Sequence, residues 1–147
     1  MTFTLERRGP KRKTPEADFQ SHLVGVLRQR LADALVFHIP NGVNLPLPAA
    51  LRLRRMGLTA GIPDLCVLHS GGKILFLECK AQMGSISPEQ NAVFAEIRAL
   101  GHRVEVVREV VEALRYCGEA GIKVTAPDTL NARDLFKRES AKSGRRA

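Results

Sequence analysis

The sequence predicts an α/β fold in which helices flank a central mixed β-sheet. Three observations lead to this prediction: two segments carry helix caps followed by apolar residues at helical spacing, two short apolar runs flank a glycine turn, and a further strand and helix come after them. The predicted order is helix, strand, short helix, two-strand hairpin, helix, strand, helix. With 147 residues, 44% of them hydrophobic, the chain is long enough for one domain with a full core.

The first predicted helix begins after Thr14, which can cap it, with Pro15 in the first turn. It should end near Asp33. Glu16 lies at the start of the apolar stripe of this helix, so its side chain should point inward at one helix end.

A short strand and a basic helix follow. Residues 36–39 predict the strand, which the turn sequence at residues 40–42 stops. Residues 49–56 predict a short helix that projects Arg52 and Arg55 from adjacent positions on one face.

The two central apolar runs, residues 64–68 and 74–80, should pair as an antiparallel hairpin because only residues 69–73 join them. Residues 103–107 then predict a further strand, and residues 109–117 a last helix.

The register of this hairpin decides where three charged residues lie. If the pairing is symmetric about Gly71, Asp64 faces Glu78, and Lys80 shares the face of Glu78. A two-residue turn at Gly71 and Gly72 would shift the register by one and put Asp64 on the opposite face.

Opposed carboxylates are destabilising without compensation, and buried charges are usually paired or bound to a metal. Asp64 and Glu78 would suit a hard divalent ion such as Mg²⁺, and Lys80 could then act on a phosphate or an attacking water. The structural alternative is that Asp64 caps a turn while Glu78 and Lys80 form a surface ion pair.

Two further polar residues have structural explanations of their own. Glu16 in a first helical turn interacts favourably with the helix dipole in any case. Ser87 and Gln90 complete a capping box, with Pro88 in the first turn of the helix that contains the apolar stripe Val93, Phe94, Ile97 and Leu100.

Three segments of the chain, in this order, resemble the PD-(D/E)XK nuclease superfamily. They are Gly61-Ile62-Pro63-Asp64, Glu78-Cys79-Lys80 and Ser87-Pro88-Glu89-Gln90. More narrowly, they resemble the VRR-NUC branch, and the similarity extends over about residues 14–118, including the arginine-rich run at residues 51–57. The resemblance implies a restriction-endonuclease-like core.

The same resemblance implies the roles of individual residues. It implies that Asp64, Glu78 and the backbone carbonyl of Cys79 bind Mg²⁺ or Mn²⁺, with Glu16 as a further candidate ligand. The catalytic residues that it implies are Glu16, Asp64, Glu78, Lys80 and Gln90. It also implies a homodimer and cleavage of four-way DNA junctions.

The charge distribution favours a polyanionic partner. The formal net charge is +8, and residues 28–55 contain five arginines against Asp33 alone. The candidate nucleic-acid-binding residues are Arg52, Arg54, Arg55, His38 and Asn41. The alternative for the arginines is a solvated helix face, and for His38 and Asn41 a purely structural role.

The sequence therefore predicts three parts: a basic arm at residues 1–13, a nuclease domain at residues 14–118, and a basic tail at residues 119–147. Three widely spaced cysteines argue against a disulfide framework or a zinc cluster, and no run is apolar enough to span a membrane. We expect a cytoplasmic, metal-dependent, structure-selective DNA endonuclease, such as a Holliday-junction resolvase. The alternatives are a non-catalytic DNA-binding accessory protein and a nuclease that acts on RNA.

Overall fold

The computed structural model describes residues 14–41 and 45–126. The predictions for the basic arm, for Gly42 and for residues 127–147 lie outside these ranges. Within them the order of elements matches the predicted order. The elements are α1 (Pro15–Arg30), β1 (Ala34–His38), α2 (Leu47–Arg55), β2 (Leu65–His69), β3 (Lys73–Cys79), α3 (Pro88–Ala99), β4 (Arg103–Val107) and α4 (Val110–Glu119).

The four strands form one mixed sheet in the order β1-β2-β3-β4. The β1–β2 and β2–β3 pairs are antiparallel, whereas β4 runs parallel to β3. A parallel neighbour requires a crossover connection, which α3 supplies here. The predicted α/β fold with a central mixed sheet is therefore confirmed.

The hairpin has the register that is symmetric about Gly71. His69 pairs with Lys73 and Leu65 with Leu77, which leaves residues 70–72 as the turn. Gly71 and Gly72 have φ angles of +77° and +70°, a region that glycine enters without a steric penalty. One residue beyond the Leu65–Leu77 pair, this register sets Asp64 opposite Glu78, whereas the two-residue turn does not occur.

The sheet separates two apolar layers. On one face, the buried Leu23 and Leu27 of α1 and Ala113 and Cys117 of α4 pack in one cluster with the odd-numbered residues of β2 and β3. On the other face, α3 packs against β3 and β4 through a smaller cluster of Phe94, Ile97, Val104, Phe76 and Val106. Because side chains alternate along a strand, the even-numbered Glu78 lies on the α3 side.

The first helix ends at Arg30, before the predicted end near Asp33. The chain reverses at Asp33, whose φ of +54° is compatible with a short polar side chain but not with a continuing helix. At the start of α1, the Thr14 hydroxyl accepts a hydrogen bond from the Ala17 backbone at 3.3 Å, as the predicted cap requires.

The folded core continues past residue 118, where the sequence suggested a boundary. The side chain of Ile122 is buried in the α1–α4 layer. Val124 forms an isolated bridge with Leu31, and the Thr125 backbone N–H donates to the carbonyl of Arg30 at 2.7 Å. This short pairing provides a hydrogen-bond donor for a backbone carbonyl at the end of α1. The pairing has no strand or helix periodicity in the sequence, so the sequence does not predict it.

Candidate active site

A cleft of about 680 Å³ lies where the ends of β2 and β3 meet the N-terminal turns of α1 and α3. It contains all five residues predicted to be catalytic, although they come from sequence positions as far apart as 16 and 90. The lining residues that matter here are Glu16, Gln20, Asn41, Arg54, Gly61, Asp64, Glu78, Cys79, Lys80 and Gln90.

Asp64 is held at the start of β2 by the backbone of the neighbouring strand. Its Oδ2 accepts a hydrogen bond from the N–H of Cys79 at 2.9 Å. Burial raises the pKa of Asp64, while the Cys79 hydrogen bond and the charge of Lys80 oppose that rise. The carboxylate is thus held in one orientation, but its hydrogen bond and the nearby positive charge do not fully offset the cost of burying its negative charge.

Glu78 is the buried charged residue of the site, with 1% of its surface exposed. Its Oε1 accepts hydrogen bonds from Lys80 Nζ at 3.1 Å and from Gln90 Nε2. Its Oε2 is buried without a hydrogen-bond partner among the residues that the structure describes. Burial first, and then the charge of Asp64, raise the pKa of Glu78 to about 7. A buried carboxylate oxygen in this state is well suited to a cation.

Lys80 lies one residue beyond the end of β3, where the sheet still controls its backbone. Its N–H donates to the carbonyl of Val107, the last residue of β4, at 3.0 Å. With its side chain only 13% exposed, the ammonium is confined to the cleft beside Glu78.

Gln90 forms the predicted capping box and also contacts Glu78. Its Oε1 accepts from the Ser87 N–H at 2.9 Å, and its own N–H donates to the Ser87 hydroxyl at 3.2 Å. This capping box uses the amide oxygen, so the amide NH₂ is directed to Glu78.

Gly61 allows the turn that carries Asp64 to lie directly against the start of α3. Its φ is +82°, and a Cβ atom added there would lie 2.6 Å from the backbone carbon of Glu89. Any larger residue would therefore separate the Asp64 turn from the helix end that carries Gln90.

Glu16 reaches the cleft from α1, where its Oε1 accepts from the Ala81 N–H at 3.3 Å. In residues 14–41 and 45–126, no group of three His, Cys, Asp or Glu side chains has a geometry that could hold a metal ion. Metal binding by Asp64 and Glu78, and by Glu16 or the Cys79 carbonyl, therefore stays a prediction. The Cys79 thiol is buried, and burial raises its pKa to about 12.

The predicted nucleic-acid-binding residues divide into two groups. Arg54 and Asn41 line the cleft, whereas Arg52, Arg55 and His38 do not. Asn41 also has a structural role, because its Nδ2 donates to the carbonyl of Ile62 at 2.6 Å.

Gln20 is a cleft residue that the sequence analysis missed. It lies four residues after Glu16 and thus on the same face of α1, and this spacing is the signal that could have identified it. Its Nε2 lies 2.9 Å from the Nδ1 of His38, which is also 2.9 Å from the carbonyl oxygen of Asp64. Because one ring nitrogen either donates or accepts, His38 Nδ1 can donate to the Asp64 carbonyl or accept from Gln20 Nε2, but not both at once.

Comparison with known proteins identifies the family. The family model of the VRR-NUC domain matches residues 13–110. The chain belongs to the VRR-NUC family. A curated relative of this VRR-NUC protein, "Putative nuclease p44" of Acyrthosiphon pisum secondary endosymbiont phage 1, is 45% identical over 47 residues. That alignment covers 32% of this chain and 50% of the relative, so the chain spans about half the length of the curated relative.

A solved structure of a "VRR_NUC domain protein" superposes on the VRR-NUC fold described above. It has a TM-score of 0.57 at 20% sequence identity and covers 74% of this chain and 89% of that chain. The likeness agrees with the restriction-endonuclease-like core that the sequence motif implied. No helix in the described part of the chain is long and apolar enough to cross a membrane.

Proposed function

We propose that this VRR-NUC protein is a metal-dependent endonuclease that hydrolyses phosphodiester bonds in DNA. The observation that carries the proposal is the buried Oε2 of Glu78, which has no hydrogen-bond partner in the described residues. The hairpin register sets a second carboxylate, that of Asp64, opposite Glu78. Family membership and the printed name of the phage relative, "Putative nuclease p44", support the same reaction class.

Asp64 and Glu78 are the residues that would hold the ion, with the Cys79 carbonyl and Glu16 as further candidates. The donor set fits Mg²⁺ or Mn²⁺, because such ions are commonly bound by one or two carboxylates and complete their coordination with water and substrate phosphate. When bound, the ion would activate the attacking water and neutralise charge that builds up on the phosphate. It would also compensate the two carboxylates that the protein holds together.

Lys80 is the residue that we assign to the reacting phosphate. Its ammonium can donate a hydrogen bond to a phosphate oxygen and stabilise negative charge in the transition state. Gln90 keeps Glu78 in place through its amide NH₂. The Cys79 N–H does the same for Asp64, so both carboxylates are oriented before substrate binds.

Binding to the phosphate backbone would begin with Arg54, which lines the cleft together with Asp64 and Glu78. Arg52, Arg55, His38 and Asn41 remain candidates for contacts along a longer segment of DNA. Backbone contacts of this kind select shape more than sequence, which suits a branched or nicked duplex such as a Holliday junction. A symmetric cut in two strands needs two sites, so we also propose a homodimer.

The test is incubation of the protein with supercoiled plasmid, a synthetic four-way junction and single-stranded RNA in Mg²⁺, Mn²⁺ or EDTA. We expect cleavage of DNA with either ion and none in EDTA. Asp64→Asn and Lys80→Ala should lower the rate by about 100-fold or more, whereas Glu96→Gln on the exposed side of α3 should not.

Each alternative gives a different result in this experiment. Cleavage that survives EDTA or either variant would contradict the mechanism. Cleavage of RNA alone would make the protein a ribonuclease, and DNA binding without cleavage under all conditions would make it an accessory protein. Light scattering during size-exclusion chromatography, with and without junction DNA, tests the homodimer.

A further inference from the structure

An exposed methionine lies at the tip of a tightly held turn beside the cleft. Met83 has 97% of its surface exposed, the largest fraction among the large hydrophobic side chains of the described residues. It follows Lys80 by three residues, in the segment that joins β3 to α3. We define the Met83 turn as residues 81–84.

Hydrogen bonds from three directions hold the Met83 turn. Across the turn, the Gly84 N–H donates to the Ala81 carbonyl at 2.9 Å. From the side of α1, Glu16 accepts from the Ala81 N–H at 3.3 Å. From the end of β4, Arg108 donates through Nη2 to the Gly84 carbonyl at 2.6 Å and through Nε to the Gln82 carbonyl at 3.3 Å. The backbone on both sides of Met83 is therefore fixed.

The Met83 turn is also packed against the cleft itself. A Cβ atom added at Gly84 would lie 3.1 Å from Glu16 Oε1 and 3.4 Å from Lys80 Cδ. Three residues of chain span at most about 10 Å, which is roughly three base steps along a duplex. A strand whose phosphate reached Lys80 would thus bring a base within reach of Met83.

An apolar side chain fixed at such a place matches the chemistry of an exposed base face. Methionine adapts its shape to irregular apolar surfaces, and methionine is among the side chains that insert at base steps. In the described ranges, the phenylalanine and tyrosine side chains are buried or half-buried, so none is as open to an approaching base as Met83. Met83 is the exposed apolar residue of the turn that packs, through Gly84, against Lys80.

We propose that Met83 is a specificity-determining residue, which packs on the base face exposed where a nick or branch interrupts stacking near the scissile phosphate. This inference rests on the proposed function, because it assumes that nucleic acid occupies the cleft. Insertion into an intact duplex requires unstacking at a cost of about a few kcal/mol, whereas a nick or branch lowers that cost. The contact therefore favours interrupted DNA over intact DNA.

The test uses the full chain and two DNA duplexes of one sequence, one intact and one nicked, with 2-aminopurine beside the nick. Binding is measured by fluorescence anisotropy in Ca²⁺, and cleavage of the same DNAs in Mg²⁺. The variants are Met83→Gln, which keeps the length but adds polarity, and Met83→Leu, which keeps an apolar tip. Leu100→Gln is the matched control, because Leu100 is an exposed apolar residue just past the far end of α3.

We expect Met83→Gln to weaken binding to nicked DNA by about fivefold to tenfold and to lose the 2-aminopurine fluorescence increase. Its binding to intact DNA should stay within about twofold of wild type, as should both affinities of Met83→Leu and Leu100→Gln. Equal losses on both DNAs, no loss at all, or an equal effect of Leu100→Gln would overturn the inference. A wild-type protein that does not distinguish the two DNAs would also overturn it.

The outcome for Met83 can be separated from the outcome for the nuclease. If wild type binds nicked DNA selectively through Met83 but cleaves nothing, the proposed function fails while the contact stands. If Met83→Gln cleaves and binds both DNAs as wild type does, the contact fails while the nuclease stands.

Discussion

Replacing Glu78 with glutamine should stabilise the metal-free protein at pH 8, although it removes a residue proposed to bind the metal. The pKa of Glu78 is raised from 4.5 to about 7 by burial and by Asp64. Between these two values the folded protein binds this proton more tightly than the unfolded chain does. The free energy of unfolding therefore falls as the pH rises through this window and stays lowered above it.

The magnitude follows from the difference between the two pKa values. A difference of about 2.5 corresponds to about 3 kcal/mol, which is the cost of keeping the carboxylate ionised in the folded protein. Protonated Glu78 carries a donor on one of its two oxygens, so glutamine imitates that form in both shape and charge. At pH 8 the variant should be more stable by about 2–3 kcal/mol, or roughly 10 °C in Tm for a domain of this size.

The assay is thermal or urea unfolding in EDTA at several pH values between 4 and 8. The stability of wild type should fall across this range relative to that of Glu78→Gln, and the two proteins should converge near pH 4. Excess Mg²⁺ should raise the Tm of wild type much more than that of the variant, because the variant lacks one of the proposed ligands. Glu96→Gln, at an exposed position of α3, should change stability by less than about 0.5 kcal/mol.

One result would refute this reasoning. If metal-free Glu78→Gln were less stable than wild type at pH 8, Glu78 would be a structural partner of Lys80 and Gln90 whose charge is fully compensated. A difference in stability that does not vary with pH would lead to the same conclusion, because linkage requires the pH dependence.

Three other substitutions test the structure around the site. Gly61→Ala should lower the free energy of unfolding by more than about 2 kcal/mol and abolish cleavage. Gly57 also has a positive φ but open space around an added Cβ atom, so Gly57→Ala should cost only about 1 kcal/mol. Comparing the two variants by urea unfolding separates the steric clash at Gly61 from the backbone strain that both positions share. Gln90→Glu keeps the capping box but sets a carboxylate beside Glu78; cleavage should fall while α3 stays folded by circular dichroism, and retained activity would contradict the role of the amide NH₂. Ile122→Ala should cost about 2–4 kcal/mol in urea unfolding; a negligible loss would mean that the core ends near residue 118, as the sequence suggested.

The parts of the fold that could be predicted from sequence depend on neighbouring residues. The capping box of Ser87 and Gln90 needs only the first turn of α3, and the Thr14 cap needs only the first turn of α1. The hairpin register follows from the loop through Gly71, where a short turn limits the pairing to two choices. The positions of Asp64, Glu78 and Lys80 follow from that register, because side chains alternate along each strand.

The parts that could not be predicted depend on contacts between distant segments. The arginine-rich run indicated phosphate binding, but only the packed position of α2 decides that Arg54, and not Arg52 or Arg55, lines the cleft. The bridge between Leu31 and Val124 joins residues far apart in the chain and has no repeating pattern. Sequence periodicity reports a repeated environment, so a single long-range pairing of this kind leaves no periodic signal.

The two explanations of Gln90, a helix cap and a catalytic support, describe one set of hydrogen bonds. An amide has an acceptor end and a donor end, and the cap at Ser87 occupies the acceptor end. The donor end must then face away from the cap, and the close approach of Gly61 to α3 brings the buried Glu78 site to that side. Local helix chemistry thus fixes the orientation of a side chain that supports a carboxylate at the end of β3. A Gln90 substitution therefore tests the site alone only if, as with glutamate, it preserves the cap.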